Sequence, residues 1–129
     1  MTTICPCRLG EPYDECCGRF HRGEAVAPTA ERLMRSRFSA FAVGDVEYLL
    51  NSWHPRTRPA ALELDPEQRW IHLEILGTEH GSLLDEEGTV EFRAHYRQDG
   101  RRGALHENSR FAKERGEWFY VDGTVSEGD

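Results

Sequence analysis

Cys5-Pro6-Cys7 and, after the loop from Arg8 to Glu15, Cys16-Cys17 hold all 4 cysteines of the chain. Thiols this close in sequence are ligands for a borderline-soft cation. Zn²⁺ takes four tetrahedral ligands and accepts thiolates well. Pro6 sets a tight turn between the first pair, and Gly10 and Pro12 let the loop fold back. Neighbouring side chains diverge, so His21 stands as the alternative to one of the adjacent pair Cys16 and Cys17. The competing chemistry is redox, but a Cys16–Cys17 disulfide would distort the peptide bond between its own partners. The expected cofactor is zinc, with Cys5, Cys7, Cys16 and Cys17 as its ligands.

Other chemistry leaves weaker marks. The chain contains no His-x-x-x-His spacing, no glycine-rich phosphate loop and no Gly-x-Ser-x-Gly nucleophile elbow. His95 and His106 fall on the polar faces of their strands, which places them in solvent or at an oligomer surface. His54, between Trp53 and Pro55, either lines a cavity mouth or caps the end of a helix. His72 and His80 have no partner readable from the sequence. No residue is assigned a catalytic role.

The elements that must position these groups follow from periodicity. Thr29 is an N-cap, with Glu31 in the first turn where the helix dipole favours an anion. Leu33, Met34, Phe38 and Phe41 then recur at helical spacing and predict an amphipathic helix over 30–43. Gly44-Asp45 breaks it. A shorter helix over 46–52 carries Val46, Leu49 and Leu50, and Pro55 and Pro59 end it. A helical turn is expected at Asp65-Pro66-Glu67-Gln68. From residue 70 the period becomes 2. Ile71, Leu73 and Ile75 alternate against Trp70, His72 and Glu74, and Val90, Phe92, Ala94 and Tyr96 against Glu91, Arg93, His95 and Arg97. Asp99-Gly100 is a hairpin turn. Strands over 103–113 and 118–121 follow, and the tail Glu127-Gly128-Asp129 is expected to fray. Helices first and a strand meander afterwards predict an α+β domain over 29–126, helices on a curved antiparallel sheet. A zinc knuckle over 1–23 precedes it and packs against it.

Strand alternation gives one further group of candidates. The apolar face of 103–113 carries Leu105 and Phe111, and therefore also Glu107 and Ser109. A carboxylate on an apolar face needs a partner. Arg37 lies one helical turn from Met34 and Phe41, beside the buried stripe. The expectation is that Arg37 and Glu107 meet inside the domain with Ser109 nearby, as a structural pair rather than a general base.

The cysteine segment resembles a known element. Cys5, Cys7, Gly10, Tyr13, Cys16, Cys17 and Gly18 match the SEC-C motif, a small zinc-binding unit named from the end of the bacterial preprotein-translocase motor. Leu9 stands where that motif usually has Ser, and Cys17 where the translocase has His. The motif implies protein contact or structural stapling, since four filled corners leave no position for a substrate. Leu33-Met-Arg-Ser-Arg-Phe-Ser-Ala-Phe41, Ser52-Trp-His-Pro55, His106-Glu-Asn-Ser-Arg-Phe111 and Trp118-Phe-Tyr-Val-Asp-Gly123 extend the likeness. Together they resemble the YchJ-type family of uncharacterised bacterial proteins. That family implies a SEC-C motif joined to a cone-shaped domain similar to nuclear transport factor 2, and it implies no reaction.

Bulk properties set the class. The formal net charge of -7 disfavours sequence-independent nucleic-acid binding, which relies on Lys and Arg neutralising phosphates. Arginines 8, 19, 22, 32, 35 and 37 leave only a local basic patch. The start Met1 to Cys7 lacks the basic and apolar runs of a signal peptide, and no stretch approaches a membrane span. A reducing cytoplasm is therefore expected, where clustered cysteines hold metals. These readings lead to the expectation of an accessory or adaptor protein with a protein partner and a cone that takes a small molecule or peptide. An isomerase- or cyclase-type enzyme is the alternative, and ribosome or RNA contact a weaker one. The outer sheet face, with Glu91, Arg93, His95 and Arg97, is charged and predicts a monomer or weak homodimer.

Overall fold

In the computed structural model, which describes residues 3–126, the chain begins with a 3₁₀ turn, Tyr13–Glu15, and a short helix α1, Cys17–His21. Thr29 then opens α2, Ala30–Val43, its hydroxyl accepting the Arg32 amide at 3.1 Å. Gly44 closes that helix at a φ of 80°, the left-handed conformation that suits glycine. Asp45 caps α3, Val46–Asn51, by accepting the Tyr48 amide at 3.0 Å. The helical turn expected at 65–68 is a single turn closed by the Gln68 amide donating to the Asp65 carbonyl at 3.1 Å. Asp65 Oδ1 also accepts the Glu67 amide at 2.9 Å, and the turn leads straight into the first strand rather than into a longer helix.

Four strands follow: β1 Gln68–His80, β2 Glu87–Gln98, β3 Arg101–Glu114 and β4 Glu117–Ser126. They form one antiparallel meander in the order β1-β2-β3-β4. Asp99-Gly100 and Arg115-Gly116 have positive φ at both residues, so these two-residue hairpins match the right-handed twist of their strands. The tail from Glu127, expected to fray, lies outside the described residues.

Simple alternation misplaces one aromatic. In β1, Trp70 pairs with Tyr96 and His72 with His95, which leaves Ile71 as the extra residue of a bulge. The bulge turns Trp70 to the same side as Leu73 and Ile75, where it packs on the core and lies 5.2 Å from the Tyr96 ring. A second bulge in β1 leaves out Leu76, and a third, in β4, leaves Val121 opposite no residue of β3. Bulges bend strands, and these three curve the sheet around α2. Leu33, Met34 and Phe38 of α2 pack there on Leu73, Val90, Phe92, Phe111 and Trp118. Beyond α3 the chain lies alongside β4: the His54 amide donates to the Tyr120 carbonyl at 2.7 Å, and the Tyr120 amide to the Ser52 carbonyl at 2.9 Å. The last strand is thereby partly covered.

Candidate metal centre and cavity

The sulfurs of Cys5, Cys7, Cys16 and Cys17 lie within 4.8 Å of one another, and all four residues are buried. A tetrahedron of Zn–S bonds of about 2.3 Å would set its sulfurs ~3.8 Å apart, so the donor set fits one such ion with little movement. Two devices shape it. The Cys5 amide donates to the Glu11 carbonyl at 2.9 Å and the Tyr13 amide to the Thr3 carbonyl at 2.8 Å, closing the loop between the two cysteine pairs. Cys16 is the kink between the 3₁₀ turn and α1, with φ −119° and ψ −112°, and this change of direction lets adjacent side chains converge. His21 stands outside the cluster. Its Nδ1 lies 2.5 Å from the Tyr13 hydroxyl and its Nε2 2.9 Å from the Ser36 carbonyl oxygen, so both ring nitrogens are engaged. Without a cation the site is uncomfortable for thiolates: the hydrogen bond that the Cys7 S–H donates to Cys17, with burial second, pushes the Cys7 pKa up to about 12.

Helix α2 supplies the floor of this site. Arg32 donates to Cys16 Sγ at 3.0 Å and to Cys17 Sγ at 3.4 Å, with its guanidinium 4.6 Å from the Phe20 ring centroid. Arg35 donates to the Cys7 carbonyl at 3.2 Å, and Ser39 Oγ lies 3.4 Å from Cys5 Sγ. Ser36 shares a 2.7 Å hydrogen bond with the Tyr48 hydroxyl. Residues 32, 35, 36 and 39 form one i, i+3, i+4, i+7 stripe. None of the four was readable as a site residue from composition, although their spacing carries the signal.

Two residues further round the same helix, Met34, Arg37, Phe38 and Phe41 form a second such stripe, which faces a cavity of about 270 Å³. Trp53, Trp70, Phe92, Ala94 and Leu105 complete its apolar wall, and Glu107, Ser109 and Tyr120 join Arg37 as its polar groups. The structure thus brings Arg37, Glu107 and Ser109 into one enclosure. It does not pair the first two directly. Arg37, 3% exposed, donates through Nη1 to the Leu49 carbonyl at 2.8 Å and to Ser52 Oγ at 2.6 Å. Its guanidinium lies 4.6 Å from the Tyr120 ring centroid and 5.3 Å from that of Trp53. Burial lowers its pKa to about 10, which leaves it charged at neutral pH. Glu107 Oε2 accepts from the Ser109 hydroxyl at 2.5 Å and from the Tyr120 hydroxyl at 3.2 Å. Tyr120 therefore stands between cation and carboxylate, and burial, with the Glu107 charge second, raises its pKa. Gly123 makes room for this arrangement, since a Cβ there would collide with the Glu107 carboxylate.

His54, His72, His95 and His106 have definite partners. His95 meets Glu74 at 3.1 Å and His106 meets Glu91 at 2.7 Å on the outer face, where the His72 and His95 rings also stack at 5.4 Å. His54 is buried, accepts the Arg56 amide at 3.0 Å and meets Glu114 at 2.6 Å, away from the cavity wall. It organises the turn after α3.

The family model described as the YchJ middle domain, NTF2-like, matches residues 29–123, the span from the cap of α2 into β4. The chain belongs to the YchJ-type family. It is 59% identical over 122 residues to a UPF0225 protein of Streptomyces coelicolor, covering 95% of each chain. It is 52% identical over 125 residues to a UPF0225 protein of Corynebacterium glutamicum, covering 97% of this chain and 99% of that one. Among solved structures, a SEC-C motif containing protein from Rhodopseudomonas palustris superposes with a TM-score of 0.83 at 32% identity, over 97% of this chain and all of the other. One from Psychrobacter arcticus gives 0.78 at 28% identity, over 98% and 85%. The NTF2-like α+β fold, with a cysteine cluster at its N-terminal end able to hold a metal ion, is that of the family. No helix among the described residues is long and apolar enough to cross a membrane.

Proposed function

We propose that this chain is a cytoplasmic accessory protein in which a zinc-stapled knuckle secures a small-molecule-binding domain. The observation that carries the reading is the cavity. Its volume is of the order of small ligand sites, its walls are aromatic and aliphatic, and its few polar groups converge. Zinc is the ion this donor set suits, because four cysteine sulfurs gathered in one buried cluster select it over hard cations. With all four corners filled by protein, its role is structural. A binding role is favoured over a catalytic one by Glu107, whose Oε2 already accepts two hydroxyl hydrogens and is thereby held in place rather than poised to take a proton from a substrate.

Nuclear magnetic resonance of the zinc-loaded protein with a panel of aromatic fragments tests the site. Fragments that bind are expected to shift the indole N–H signals of Trp53 and Trp70, and to lose this effect in Leu105→Trp, which fills the cavity. Fragments that leave both signals unmoved, or that move them equally in the filled variant, would contradict the reading.

A further inference from the structure

The polar end of the cavity is itself selective for a kind of ligand. Arg37 uses Nη1 alone for its two hydrogen bonds, and neither Nε nor Nη2 has a partner among the described residues. The sole buried, sealed and unpartnered side-chain nitrogen or oxygen among those residues is Trp53 Nε1. Nε and Nη2 of Arg37 are therefore not sealed off, and the open volume that Arg37 borders is this cavity. A guanidinium edge with free donors thus faces an enclosure that is otherwise mostly apolar. A buried donor of this kind is costly to leave without an acceptor. On the far side of Tyr120, Glu107 Oε1 has no hydrogen-bond partner among the described residues, while Oε2 has two. The cavity thus offers one set of free donors and one free acceptor, bridged by a single phenol.

Charge decides what can enter. A monoanion would satisfy Arg37 but place a second negative charge beside Glu107 in a low-dielectric space, where like charges repel strongly. A cation would meet the reverse difficulty at Arg37. A neutral group with an acceptor and a donor side by side meets neither. Resting on the small-molecule reading above, we propose that the cavity takes a neutral, planar, ring-containing ligand through a lactam- or amide-like edge. Its carbonyl oxygen accepts from Arg37, its N–H donates to Glu107, and its ring lies among Phe38, Phe41, Trp53 and Trp70. The flat aromatic walls favour a planar ring, and they bind it by stacking and edge contacts.

Three bicyclic probes of similar size separate the possibilities on the zinc-loaded, full-length chain: carbostyril, a neutral lactam; naphthoate, an anion; and naphthylmethylammonium, a cation. Carbostyril is expected to bind about tenfold more tightly than either charged probe, the scale of one good hydrogen bond to a charged group. In Glu107→Gln the amide oxygen can still accept from Ser109 and Tyr120, so the wall is kept while the cavity becomes net positive. The preference is then expected to move toward naphthoate by a similar factor. Equal or tighter binding of a charged probe to the wild type would overturn the ligand class and leave the small-molecule site standing. An unchanged order of preference in Glu107→Gln would overturn the charge argument. Failure of all three probes to bind, read from the Trp53 and Trp70 signals, would overturn the small-molecule site itself.

Discussion

His21 and Gly123 show how single residues serve the two sites without being ligands. His21 accepts from the Tyr13 hydroxyl and donates to the Ser36 carbonyl, an arrangement made for the neutral ring, and burial lowers its pKa. The unfolded chain then takes up the proton first, near the ordinary value of about 6.5. Stability attributable to His21 is therefore intact above that pH and is lost as pH falls toward the lowered folded value. Urea unfolding at neutral pH and near pH ~5 should show a larger loss for the wild type than for non-titrating His21→Gln, both zinc-loaded. Equal losses would contradict the assignment. Gly123→Ala places a methyl group in the Glu107 carboxylate and is expected to destabilise by about 1–3 kcal/mol, as overpacking does. Removing the obstructed side chain in Gly123→Ala/Glu107→Ala should recover part of that cost. Purely additive losses in thermal unfolding would show that the two do not collide.

Helix α2 is the element that joins the two sites, and its two stripes explain what could be read in advance. The apolar stripe was visible, so the helix and its ends at Thr29 and Gly44 were legible, as was the placing of Glu107 and Ser109 on the apolar face of β3. Of the polar stripe of Arg32, Arg35, Ser36 and Ser39, the two arginines were legible only as part of a local basic patch, because nothing local tells an exposed arginine from one aimed at sulfur. The direct pairing expected of Arg37 and Glu107 failed for a similar reason: alternation gives the face a side chain occupies, and not that Tyr120 stands between. The bulge at Ile71 also makes strict alternation set Trp70 on the face opposite Leu73 and Ile75, although a tryptophan is by type a core or cavity-lining residue, since an extra residue breaks a period-2 pattern without any mark in composition. Arg32 tests this element. Its hydrogen bonds to Cys16 and Cys17 would offset the negative charge of the thiolates around a bound zinc, so Arg32→Met should weaken zinc binding about tenfold or more in a chelator competition. An unchanged affinity would mean that the guanidinium only packs on Phe20.

At the scale of the whole molecule, knuckle and sheet are expected to behave as one cooperative unit, because each buries a face of α2. Ligands that bind only the folded state stabilise it, and a structural metal does so strongly. Chelation should therefore lower the unfolding temperature of the sheet as well as that of the cysteine segment, in a single transition. Two separated transitions would assign the metal to the knuckle alone. All of this depends on the ion. The most direct measurement is the metal content and thiol reactivity of the purified native protein, beside Cys16→Ser and Cys17→Ser. The account predicts one zinc per chain, thiols that react only after chelation or unfolding, and loss of the metal in both variants. A metal-free native protein with freely reactive or disulfide-paired cysteines would contradict it.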